Sequence, residues 1–80
     1  MKLTLNGINR IGRQRCKKFK AFVGRKVLIF SREHMAYWRA GASGYAPDPV
    51  EAGVYDFADA YAHTMHCGPE KRIEFEAVGS

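Results

Sequence analysis

Eighty residues with 46% apolar content make one domain able to bury a modest core, which argues against global disorder. No stretch reaches the roughly 18 apolar residues of a membrane-crossing helix. The start, Met1-Lys2-Leu3-Thr4-Leu5-Asn6-Gly7, lacks the apolar run of a secretory signal, so a cytoplasmic location is expected. The formal net charge of +5 is unevenly divided: residues 1–26 carry nine Lys or Arg and no acid, while 27–80 carry four bases and eight acids. A basic segment beside a mildly acidic body points to a polyanionic partner or an acidic protein surface.

In the basic third, apolar residues fall at Ile8, Ile11, Cys16, Phe19, Phe22 and Val23, steps that fit one face of a helix. Asn6 or Asn9 can cap its start and Gly24 can end it. Arg10, Arg13, Lys17, Lys18 and Lys20 project from the opposite half, whereas Arg15 falls in the apolar sector. Residues 1–26 therefore read as a basic helical arm that grips a nucleic-acid backbone or an acidic patch. The alternative is a solvated cationic face on an ordinary packing helix. Asn6 to Arg13 echoes the glycine-rich entry of dinucleotide-binding dehydrogenases. Its spacing is G-x-x-x-x-G, with Arg13 where a phosphate loop needs Lys, so a nucleotide site is not expected there.

Val27-Leu28-Ile29-Phe30 reads as a buried strand, and Met35 to Arg39 as a second that forms a hairpin with it across Arg32-Glu33-His34. Ala40 to Gly44 reads as a loop that continues through Pro47. Asp48-Pro49-Val50-Glu51-Ala52 has the cap and the N1 proline of a single helical turn, closed by Gly53. Asp56 can cap a helix over Phe57 to Cys67, which Gly68-Pro69 stops. Arg72 to Val78 alternates polar and apolar, as a half-buried strand does, with Ile73, Phe75 and Ala77 inward. Gly79-Ser80 is a tail. The fold class expected is α+β, with order αββαβ, a three-stranded antiparallel sheet ordered 2-1-3, and a 27–78 ββαβ core behind the arm.

Candidate chemistry is sparse. His63, His66 and Cys67 cluster near a helix end, with Cys16 and His34 elsewhere, but the spacing of a structural zinc site is missing. Cys67 and His63 have the spacing of a nucleophile and its base without an oxyanion hole or an orienting group. Glu33 with Glu74 or Glu76 could pair carboxylates, although outward acids on strands are usually solvated. Cys16 and Cys67 read as free thiols in a reducing compartment. The expectation is a non-enzymatic, monomeric protein with no metal and no cofactor. Tyr37, Trp38 and Arg39 are residue types enriched at interface centres and in base-stacking platforms. Tyr37 and Trp38 fall on opposite faces of their strand. The competing possibility is that Trp38 is core and that Tyr45 anchors the glycine loop by packing.

Ile29-Phe30-Ser31-x-Glu33-His34-x-x-Tyr37-Trp38-Arg39, then Gly44-Tyr45 and Glu51-Ala52-Gly53-x-Tyr55, resembles a group of very small phage and prophage proteins. Their pattern is I-W-S-x-E-H-x-x-W-W-R, G-Y and E-A-G-x-Y. Phe30 and Tyr37 stand where that pattern has Trp, and the likeness covers about residues 27–78 without the arm. Small phage proteins of this kind include anti-CRISPR inhibitors, which act by binding. The resemblance therefore implies a phage-encoded inhibitor that docks on a host CRISPR effector complex and blocks target DNA binding. Arg10, Arg13, Lys17, Lys18 and Lys20 would meet guide RNA or an acidic patch, and Tyr37, Trp38 and Arg39 would supply the interface centre. The alternatives are a small DNA- or RNA-binding accessory protein that contacts phosphates directly, and a virion assembly factor.

Overall fold

The computed structural model describes residues 2–79, so Ser80 of the expected tail lies outside the described residues. The elements are β1 (Lys2–Thr4), α1 (Leu5–Ile11), α2 (Lys17–Phe22), β2 (Lys26–Ser31), β3 (Ala36–Trp38), β4 (Tyr45–Ala46), β5 (Tyr55–Asp56), α3 (Phe57–Thr64) and β6 (Ile73–Ala77). Short 3-10 turns occupy Ala40–Ala42, Pro49–Glu51 and Pro69–Lys71.

The α+β class with an antiparallel sheet holds. The sheet has six strands rather than three, in the order β1-β6-β2-β3-β4, with β5 on the lower half of β2. β2 is central, flanked antiparallel by β6 and β3, which is the neighbourhood its continuous apolar run calls for. The strands that had not been expected are two or three residues long. Pairing partners define them more than their own sequence does.

Strand alternation sorts the side chains. Leu3, Phe75 and Ile29 lie opposite one another in one row, and Ala77 and Val27 in the next. Together with Leu5 and Ile8 of α1, Phe22 of α2 and Phe57 and Ala60 of α3, they form one buried cluster, so all three helices cover the same face. Phe57 bridges the layers, with its ring edge-on to Phe22, Phe19 and Phe75. The molecule measures 32 × 30 × 18 Å, its short axis being one sheet and one helical layer. On the other face run Thr4, Glu74, Phe30, Tyr37 and Ala46 in one row, and Lys2, Glu76 and Leu28 in the next.

The basic arm is not a single helix, and it does not stand apart from the core. It begins as edge strand β1 and then divides into α1 and α2 around an elbow at residues 12–16. Thr4, rather than Asn6 or Asn9, caps α1 by accepting the Gly7 amide at 3.0 Å. Gly12 ends α1 at φ +93°, a value open to glycine, with its amide on the Ile8 carbonyl at 2.7 Å. Arg15 and Cys16 then donate to the Gly12 carbonyl, both at 3.0 Å, which turns the chain and buries Cys16. Gly24 follows α2 at positive φ, as expected of a terminating glycine.

The expected helix over Phe57–Cys67 stops at Thr64, because the Cys67 amide closes back on the Thr64 carbonyl at 2.8 Å. Asp56 precedes α3 but makes no side-chain cap; it pairs with Lys26 at 2.6 Å instead. The Asp48 cap is present, its carboxylate accepting the Val50 amide at 2.9 Å ahead of Pro49.

Candidate nucleic-acid interface

Charge pairing divides the 13 Lys and Arg residues into five with a carboxylate partner and eight without one among the described residues, of which Arg25 and Arg72 lie off the basic ridge. Lys2, Lys26, Arg32, Arg39 and Lys71 each lie within 4.0 Å of a carboxylate, from Glu76, Asp56, Glu74, Glu51 and Glu33 respectively. Arg10, Arg13, Arg15, Lys17, Lys18 and Lys20 have no such partner among the described residues, and all are exposed. The acid-free stretch of sequence thus folds into an acid-free ridge of α1, elbow and α2. Lys17 and Lys18 stand in the first turn of α2, where no acid offsets the helix dipole. An anion bound there would relieve that repulsion.

The ridge borders a cleft of about 470 Å³ between β1 and the elbow. Lys2, Arg15, Lys17 and Lys18 form its rim, and Leu3, Ile11 and Cys16 its apolar part. Cys16 and Leu3 are buried, whereas Ile11 is 50% exposed. No carboxylate lines it. Of these residues only Lys17 and Lys18 were among the contacts expected from sequence. A continuous helix would have turned Arg15 toward the core, and the elbow turns it outward. The one signal of the break is Gly12 inside the helical pattern, since the apolar positions on either side of it fit a single helical face.

The aromatic trio lies on β3, toward the opposite edge of the sheet, so the expected basic and aromatic contacts do not converge. Tyr37 packs on the open face against Phe30, ring centroids 4.8 Å apart, and burial followed by Glu76, Glu74 and Asp48 raises its hydroxyl above the ordinary 10.0. Trp38 faces the helices at the margin of the core, edge-on to Tyr45, with its indole N–H buried and unpartnered among the described residues. Arg39 is engaged internally, donating to the Tyr45 carbonyl at 3.1 Å and pairing with Glu51 at 3.5 Å.

Most of the resemblance pattern is likewise occupied inside the fold. Ser31 donates to the Lys71 carbonyl and accepts the His34 amide. Gly53 donates to the Trp38 carbonyl at 2.9 Å and lies so close to Ala40 that a Cβ there would overlap its backbone. The Tyr55 hydroxyl donates to the Arg39 carbonyl and accepts the Ala42 amide at 3.0 Å. These residues hold the β3–β5 connection closed.

The other candidate groups are dispersed. Glu33 contacts His34 and Lys71, both at 3.3 Å, and its hydrogen bond and charge raise the Lys71 ammonium above 10.5. Glu74 and Glu76 are engaged by Arg32 and Lys2. His63 sits edge-on to Tyr55, and Cys67 lies beyond the end of α3. Burial pushes the Cys67 thiol above 9.0, against the direction an activated nucleophile requires. Among the described residues no three His, Cys, Asp or Glu side chains gather as a metal site would need, and no helix is long and apolar enough to cross a membrane. No family model, curated protein or solved structure matches this chain.

Proposed function

We propose that this protein is a non-enzymatic binding domain that contacts the phosphates of DNA or RNA through the cationic ridge of α1, the elbow and α2, as a small accessory or regulatory protein. The observation that carries this reading is the pairing pattern. Of the eight Lys and Arg residues with no carboxylate within 4.0 Å among the described residues, six lie together on the ridge, and Arg25 and Arg72 lie elsewhere. A ridge kept free of acids is a poor contributor to stability and a good electrostatic footprint for phosphates.

The second reading is a phage-encoded inhibitor that docks on a CRISPR effector complex in the host cytoplasm and prevents target DNA binding. The resemblance to small phage proteins supports it. So does the separation of the ridge from Trp38 and Tyr45 across the sheet, which suits a partner with both nucleic-acid and protein surfaces. Gel shift with naked single strands and duplexes separates the two. Salt-sensitive binding to naked nucleic acid is the result expected for an accessory protein. Failure to bind, together with protection of a targeted phage in a CRISPR-active host, would replace it with the inhibitor.

A further inference from the structure

We infer that the cleft between β1 and the elbow takes an unpaired nucleobase, so that the ridge selects single-stranded over duplex nucleic acid. This rests on the phosphate-binding reading above and adds to it which form of nucleic acid is held. The cleft combines two chemistries that a duplex cannot satisfy together. Its rim holds the unpaired Arg15, Lys17 and Lys18, which suit consecutive phosphates, and no acid lines it, while Lys2 at its margin pairs with Glu76 at 3.8 Å. Its floor is apolar, and Ile11 projects there half exposed, with no protein side chain covering it.

A duplex keeps its base faces stacked inside and presents only base edges, sugar and phosphate, so Ile11 would find no base face to cover. A single strand can turn one base out of the stack. The base would lie on Ile11 while its flanking phosphates reach Lys17 and Lys18. The opening of about 470 Å³ accommodates a nucleotide. Arg15 supplies a planar guanidinium beside it, a group that stacks on bases as aromatic rings do. Gly7 in the cleft wall adds no side chain to the space.

The test compares three probes of equal charge with the full chain by fluorescence anisotropy: an oligothymidylate of about 12 nucleotides, an abasic strand of the same length, and a duplex of matched phosphate count. The oligothymidylate should bind about tenfold tighter than either of the others, the gain expected for covering the apolar floor. Ile11→Ser should remove about fivefold of that preference without altering binding of the abasic strand. Because Ile11 is half exposed, its circular-dichroism melt should match the native chain, keeping the variant interpretable.

Equal affinity for all three probes would overturn the inference and leave the phosphate-binding reading standing. So would an Ile11→Ser variant that keeps the full preference. Absence of binding to every probe at low salt would overturn both. Binding to anionic phosphatidylserine vesicles in place of any strand would also overturn both, making the cleft a lipid site.

Discussion

One hydroxyl, that of Tyr55, ties β5 to the turn after β3 through the Arg39 carbonyl and the Ala42 amide. Tyr55→Phe should cost about 1–2 kcal/mol in urea unfolding, because it removes two hydrogen bonds and leaves the Arg39 carbonyl and the Ala42 amide with only their mutual contact at 3.2 Å. An unchanged midpoint would mean that water replaces the hydroxyl at no cost. Gly53→Ala is the harsher change, since its methyl overlaps the backbone of Ala40, which cannot move without opening the loop. A loss of more than about 2 kcal/mol is expected. Tyr37 governs the alkaline limb: burial and the carboxylates of Glu76, Glu74 and Asp48 raise its hydroxyl above 10.0. The folded chain therefore holds that proton longer than the unfolded one. The contribution is complete below pH 10.0 and is lost as pH rises through the folded value. Tyr37→Phe should flatten the fall in melting temperature above pH 10.0; an unchanged slope would place Tyr37 in water.

At the scale of elements, α1 and α2 separate folding from binding on the same short stretch. Phe22 is fully buried and meets Phe57 edge-on, so Phe22→Ala should cost about 3–5 kcal/mol. Lys17 and Lys18 lie on the exposed side of that helix, opposing its dipole. Their double replacement by Glu should raise stability by roughly 0.3–1 kcal/mol while weakening nucleic-acid binding. Stability lost along with binding would instead assign these lysines a structural role. The central strand was legible in sequence because Val27 to Phe30 is apolar throughout, and the Asp48-Pro49 turn because it combines a cap with a fixed φ. β1, β4 and β5 were not, since two or three residues carry no period of their own. The break in the basic helix turns on Gly12, whose positive φ is allowed but not dictated by glycine.

At the scale of the whole molecule, charge was the most legible feature of the candidate site and geometry the least. The absence of acid over residues 1–26 identified the ridge. Nothing in the spacing indicated that β1 would form an edge strand and bring Lys2 beside Arg15, Lys17 and Lys18. The resemblance pattern marked out a region, yet Ser31, Arg39, Gly53 and Tyr55 serve the interior of the β-sheet connections. The residues of the resemblance pattern and those of the proposed ridge thus occupy different parts of the chain, while within α2 the buried Phe22 and the exposed Lys17 and Lys18 occupy different sides of one helix. The salt dependence of nucleic-acid binding tests that division most directly. With the three unpaired rim cations, Arg15, Lys17 and Lys18, on phosphates, affinity for a single strand should fall about 20-fold between roughly 50 and 200 mM salt. The Lys17→Glu, Lys18→Glu variant should lose most of that slope. Affinity that stays flat with salt, or a variant that behaves as the native chain does, would contradict the account.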